Sequence, residues 1–426
     1  MKYTKRIIDI IMEEKLETFG GVLITGPKSC GKTTTAKQFA ASSIEFQDED
    51  RRDQLLAVAE TRPSLLLKGK KPILFDEWKD APKIWGTVRK AIDDDMEIGA
   101  YILTGSSASK VKTPHTGTGR ISRLNMLPMS LYESGESNGS VSLLELFTDP
   151  DSFSECVSDL TIEQLIYAIC RGGWPRAVLH PVEKSRLRIA PDLFTQSYEE
   201  DIQKISDVER NPDIAKVLLR SYSRNLCTET KLKNVYQDAQ VDGYPTERTL
   251  SGYLDDFKKL NIIEDIDAWC PAIRSKTAIR SSPKLNLVDP SIAVAALGLS
   301  PGYFNRDFKT LGFLFECLAI RDLKVYSTAA HGKVSYYRDR YGLEADCVLS
   351  LEDGRYALIE FKLGEREVDR GAQHLCQIES LIKEKNEVEQ QCPIRLPDLK
   401  IVITGTKYGY RREDGVLVIP IGCLKN

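Results

Sequence analysis

Apolar positions fall into short runs in the first third of the chain: residues 21–25, 73–75 and 101–104, separated by longer amphipathic stretches. Uninterrupted apolar runs of four or five residues between helix-period segments predict a parallel sheet covered by helices. A polar stretch at 134–142, rich in Ser, Gly and Glu, breaks that rhythm, and helix-like periodicity from 143 to about 210 predicts an all-helical segment. Helical spacing continues through 211–259. At 260–265 the period falls towards two, which predicts a small helix-turn-helix with a short wing. From about 281 onward, a helix over 312–323 and strand-like runs at 335–338, 344–350 and 356–362 predict a second α/β or α+β unit. The expected organisation is therefore an α/β core at 1–135, a helical segment at 136–210, a helix-turn-helix region at 211–280 and a carboxy-terminal α/β domain at 281–426.

With 426 residues the chain is long enough for several domains, each able to bury its own core. Lys and Arg number 59 against 62 Asp and Glu, a net charge of −3, so no global positive field draws the chain to nucleic acid or anionic lipid. Any such contact must be local. The first residues lack the pattern of a secretion signal, and no apolar run is long enough to span a bilayer. A soluble, cytoplasmic protein without membrane partners is expected. The ten cysteines show no Cys-x-x-Cys spacing and read as reduced, buried thiols.

The strongest chemical signal is Gly26-Pro27-Lys28-Ser29-Cys30-Gly31-Lys32-Thr33, with a strand before it and a helix-compatible run starting at Thr34. This is the G-x-x-x-x-G-K-[ST] pattern. Its glycines let main-chain N–H groups wrap phosphates, and the helix adds its positive end. Lys32 neutralises the outer phosphates, and the Thr33 hydroxyl is placed to ligate magnesium. The expected nucleotide-binding set is thus residues 26–34 with Asp76. A site of this kind needs a second strand ending in acid, and residues 71–77 supply Asp76 on the metal side and Glu77 to align or deprotonate water. The third strand ends in Thr104-Gly105-Ser106-Ser107, where a hydroxyl such as Ser106 is a candidate phosphate sensor.

Taken together, residues 26–33, 73–78, 103–107, Gly119-Arg120, residues 127–133 and Gly172-Gly173-Trp174-Pro175 resemble the AAA+ P-loop ATPases of the bacterial and archaeal type, which carry a carboxy-terminal domain of unknown function. The resemblance implies ATP and Mg²⁺ as cofactors, ATP hydrolysis, and self-association through an arginine donated in trans. Arg120 is the first candidate for that arginine and Arg123 the second. The alternative for Arg120 is a pairing with a neighbouring carboxylate. Arg171 and Arg176 could instead face nucleotide from the lid.

A second constellation joins Glu316, Asp346 and Glu360-Phe361-Lys362. Strand alternation puts Glu360 and Lys362 on one side, and the turn at 352–355 lets the strands of Asp346 and Glu360 pair. Glu316 sits on an otherwise apolar helical row, where a carboxylate requires a partner. This arrangement resembles the PD-(D/E)xK nuclease fold. The resemblance implies that Asp346, Glu360 and Glu316 hold metal and that Lys362 orients water, with Gln373 on the next helix as a further match. The competing reading is a non-cleaving domain in which Glu360 and Lys362 form a plain ion pair.

In the middle region, a helix starting near Thr246 presents Arg248, Thr249 and Ser251 as candidate DNA contacts, with Glu247, Asp255 and Asp256 opposing phosphate; the alternative is a plain packing module that connects the two α/β domains. Arg274, Lys276, Arg280 and Lys284 form a more basic loop, which could touch nucleic acid or simply be solvated. The leading functional expectation is an AAA+ ATPase coupled to a nuclease-like domain. The alternatives are a nucleotide-dependent switch or scaffold, and an ATP-regulated protein that binds DNA or RNA.

Overall fold

The computed structural model describes residues 3–105, 116–206, 208–240, 245–270, 282–339, 341–388, 391 and 393–426. Two compact units emerge. The first comprises residues 1–128, 196–210 and 255–262; the second comprises 129–195, 211–254 and 263–426.

The first unit is built on five parallel strands: β1 (Gly21–Thr25), β2 (Ser42–Glu45), β3 (Ile73–Asp76), β4 (Tyr101–Thr104) and β5 (Ile121–Asn125), in the spatial order β2-β3-β4-β1-β5. The three strands expected from the apolar runs are present. Alternation along them feeds two cores. Leu23, Ile73, Phe75, Tyr101 and Leu103 pack with Trp78, Trp85 and Val88 on one face, while Val22, Ile24, Leu74 and Ile102 pack with Ile8, Ile11, Met12 and Ala36 on the other. Both faces are therefore covered, which explains why the strands read as unbroken apolar runs. β1 lies between β4 and β5, so the chain leaves its carboxyl end at the point where strand order reverses, the usual place for a ligand crevice in an open parallel sheet.

The second unit carries a mixed sheet of seven strands: β7 (Glu155–Val157), β8 (Lys333–Arg338), β9 (Glu344–Ser350), β10 (Tyr356–Lys362), β11 (Leu399–Thr404), β12 (Tyr408–Arg411) and β13 (Leu417–Pro420), ordered β7-β12-β13-β11-β10-β9-β8. β9 and β10 pair antiparallel across the expected turn, and the helix Phe308–Tyr326 packs against β8, β9 and β10. The helix Val368–Val388 contributes Leu375, Ile378 and Ile382 to the core formed with Val348, Leu358, Val402 and Val418.

The all-helical expectation for 143–210 needs correction. Within it β7 pairs with β12 as an edge of the large sheet, and just before it β6 (Val141–Ser142) pairs with β14 (Leu424–Lys425). Strands of two and three residues are too short to impose a period on the sequence. The Gly172-Gly173-Trp174-Pro175 element belongs to packing in this unit. Gly172 has φ +75°, and a Cβ on Gly173 would come within 2.1 Å of the Met129 carbonyl oxygen, so neither position accepts a side chain.

Candidate functional site

At the carboxyl end of β1 the loop turns through Gly26 (φ 138°), Ser29 (φ 64°) and Gly31 (φ 106°) before the helix Lys32–Phe39 begins. A Cβ on Gly26 would lie 2.1 Å from the Met126 carbonyl oxygen, so the loop closes against the strand beside it only with glycine there. Pro27 and Cys30 are buried, whereas Lys28, Ser29 and Thr34 are exposed. Lys32 is buried, and its ammonium donates to the carbonyl oxygens of Pro27 (2.7 Å) and Gly26 (3.1 Å), folded back over the loop it serves. The Thr33 hydroxyl donates to Asp76 Oδ1 at 2.8 Å, and the Thr104 hydroxyl at the end of β4 donates to the same oxygen. Thr33 and Asp76, expected together from the sequence, thus share a hydrogen bond, and of the hydroxyls at the end of β4 it is Thr104 that joins them.

Glu77 follows β3 with φ 55°, a left-handed conformation unusual for glutamate and of the kind that concentrates at functional sites. Lys79, two residues on, has its affinity for a proton lowered by burial, with further lowering from the charges of Lys32 and Arg123; Glu77 works the other way. Lys79 thus feels the charges of Lys32 and of Arg123, the second arginine candidate. Arg6 braces the loop from the amino-terminal segment, donating to the carbonyl oxygens of Cys30 (3.2 Å) and Leu127 (2.9 Å). Lys28 pairs with Asp201 at 3.1 Å, in the part of the helical segment that belongs to this unit.

Arg120 pairs with Asp93 on the helix Lys83–Asp95, the carboxylate-pairing arrangement weighed above for it. Arg171 is buried and spent on Glu136 and the Gly172 carbonyl oxygen, which corrects the reading that turned it towards nucleotide. Ser106, Arg274, Lys276 and Arg280 lie outside the described residues. Asp256, read as a charge opposing phosphate, is instead buried against Arg210 (2.7 Å) and Lys259 (3.0 Å).

The carboxy-terminal acids do converge. Asp346 Oδ2 accepts from Phe361 N (2.9 Å) and Lys362 Nζ (3.3 Å), and Lys362 Nζ also reaches Glu360 Oε2 at 2.5 Å. Glu316 accepts from Lys284 Nζ at 2.8 Å. Lys284 is not part of a solvated basic loop: it is 4% exposed, beneath the cluster. The residue beside Glu360 on the following helix is His374, at 3.5 Å, whereas Gln373 is exposed. Gly371 allows that helix its close approach, since a Cβ there would stand 3.2 Å from Lys362 Cε.

Burial, followed by the charge of Asp346, pushes the Glu360 carboxyl up to about 8, and burial pushes Glu316 up to about 7; His374 is lowered, first by burial and then by Lys362. Glu360 Oε1 and His374 Nδ1, 3.5 Å apart, are both buried without a hydrogen bond. A raised carboxyl stabilises the fold when protonated. The Glu360 contribution is complete below its ordinary value of 4.5 and is lost as pH rises through about 8. Melting curves should therefore show the Tm falling over that window, and Glu360→Gln should flatten the fall. An unchanged slope in the variant would contradict this assignment.

Together, Glu316, Asp346 and Lys362 line a pocket of about 1150 Å³ whose other walls include Phe308, Lys309, Arg366 and Lys407. Among the described residues, no group of three or more His, Cys, Asp or Glu is arranged to hold a metal ion.

A strand, a glycine-hinged loop, a helix carrying Lys-Thr and a neighbouring strand ending in Asp-Glu define a phosphate-binding nucleotide site. Residues 19–135 match the family described as AAA domain, and the chain accordingly carries an AAA-type ATPase domain there. Two domains of unknown function also match, DUF8612 over 162–303 and DUF4143 over 311–424. No curated protein matches. Among solved structures, the chain is similar to the Walker-type ATPase PABY2304 of Pyrococcus abyssi, at 15% identity over 69% of this chain and 96% of that one, with a TM-score of 0.42. A DNA replication initiation factor aligns at 14% identity over 58% of this chain and 87% of its own, with a TM-score of 0.27. A STAND protein with a tetratricopeptide repeat sensor from Pyrococcus horikoshii aligns at 14% over 76% and 48%, with a TM-score of 0.25. No described helix is long and apolar enough to cross a membrane.

Proposed function

We propose that the chain is a magnesium-dependent ATPase whose carboxy-terminal domain is nuclease-like in architecture but does not cleave nucleic acid. The observation that carries the ATPase reading is the meeting of Thr33 and Asp76 at 2.8 Å beside the loop that Lys32 folds over. A hydroxyl and a carboxylate are the hard oxygen donors that Mg²⁺ takes at such sites, so these two residues would hold it. When bound, the ion would neutralise charge on the outer phosphates. Lys32 exchanges its two carbonyl acceptors for phosphate oxygens, and the N–H groups at the start of the Lys32–Phe39 helix face the same anion. Glu77 orients the attacking water.

The non-cleaving reading is supported by the two ammonium groups among the carboxy-terminal acids. DNA or RNA is the partner class that fits a nuclease-like architecture. The test is phosphate release from ATP with magnesium, run beside incubation of mixed DNA and RNA with magnesium or manganese. Turnover without cleavage is expected. Cleavage that Lys362→Ala removes would overturn the second half of the reading, and absent turnover would overturn the first.

A further inference from the structure

The Lys284 ammonium lies buried among the carboxy-terminal acids. It is 2.8 Å from Glu316 Oε1, 3.5 Å from the Asp346 carbonyl oxygen and 5.6 Å from the centroid of the Tyr336 ring. It reaches this point because residues around it pair into the sheet region: Lys284 bridges antiparallel to Ile266, and Leu287 to Ile263. Lys362 closes the other side of the cluster on Glu360 and Asp346. Three acidic side chains thus meet two ammonium groups: Glu316 Oε1 faces Lys284, Asp346 Oδ2 faces Lys362 and the Phe361 N–H, and Glu360 Oε2 faces Lys362. An ammonium is a compact point charge with three donors, able to take the place of an ion but unable to activate a water.

We propose that Lys284 is the resident cation of the carboxy-terminal centre: it stands in the position a divalent metal would take, and any ligand entering the pocket is bound without metal. This deepens the non-cleaving reading by naming its cause. It also separates from that reading, because a centre that binds metal yet fails to cleave would spare the latter and sink the former.

The test is a titration of Mn²⁺, followed by its electron paramagnetic resonance signal, into nucleotide-free full-length protein. The wild type and Glu316→Gln are expected to bind the same number of ions. Lys284→Met, checked for folding by circular dichroism, is expected to gain one bound Mn²⁺ per chain, and adding Glu316→Gln to it should remove that ion. The inference is overturned if the wild type binds an ion that Glu316→Gln abolishes, or if folded Lys284→Met gains none. The comparison of wild type with Glu316→Gln decides the matter even if Lys284→Met fails to fold.

Discussion

Glu77→Gln is expected to keep nucleotide binding and slow ATP hydrolysis by about 10²- to 10⁴-fold, the usual contribution of a positioned general base. The substitution preserves size and hydrogen-bonding reach while removing the charge that draws a proton from water. Glu77 occupies its left-handed conformation directly after Asp76, the strand-end acid that meets Thr33. Equilibrium binding of a fluorescent ATP analogue and single-turnover phosphate release separate the two effects. Unaltered turnover would remove Glu77 from the water-activating role, and loss of binding would show that it supports the loop instead.

Arg321→Ala is expected to destabilise the second unit by about 3–5 kcal/mol, the range seen when one partner of a buried ion pair is deleted. The guanidinium is 3% exposed and joins Asp289 at 2.8 Å to Asp322 at 2.7 Å. Those carboxylates in turn accept from the main-chain N–H of Gly173 (2.9 Å) and Leu131 (3.0 Å). Removing Arg321 leaves two buried charges facing each other across the glycine element. Urea unfolding should show the midpoint shifting far downward, whereas a loss below about 1 kcal/mol would place this group among ordinary exposed pairs.

How much of this was legible depended on whether a signal was local. Residues 26–33 and 73–77 announced themselves because phosphate chemistry constrains residue type and spacing within one loop and one strand end. The strands β9 and β10 were readable to the residue, since alternation and an intervening turn are both local. β12 and β13, lying far along the chain, left too little periodicity to be anticipated, and β7 joins their sheet from the other side of some 250 residues. The burial of Lys284 is not legible for the same reason. Beside Arg280 this lysine resembles one more surface cation, and only pairing across the fold brings it to Glu316. The available clue is on the other partner: Glu316 on an apolar helical row demands a counter-charge, and Lys284 directly precedes Leu285, Leu287 and Val288, whose spacing marks a stretch suited to burial. His374 offered no comparable clue, because its role rests on Gly371 admitting the helix to within contact of β10.

The most direct check on the central claim is isothermal calorimetry of ATP with magnesium into the folded full-length chain and into Lys32→Ala. The ammonium that now reaches Pro27 and Gly26 is the one positive charge inside the loop itself that is buried, so the wild type should give a saturable heat with one site per chain and the variant none. A flat wild-type titration, or equal heats from both proteins, would contradict the account.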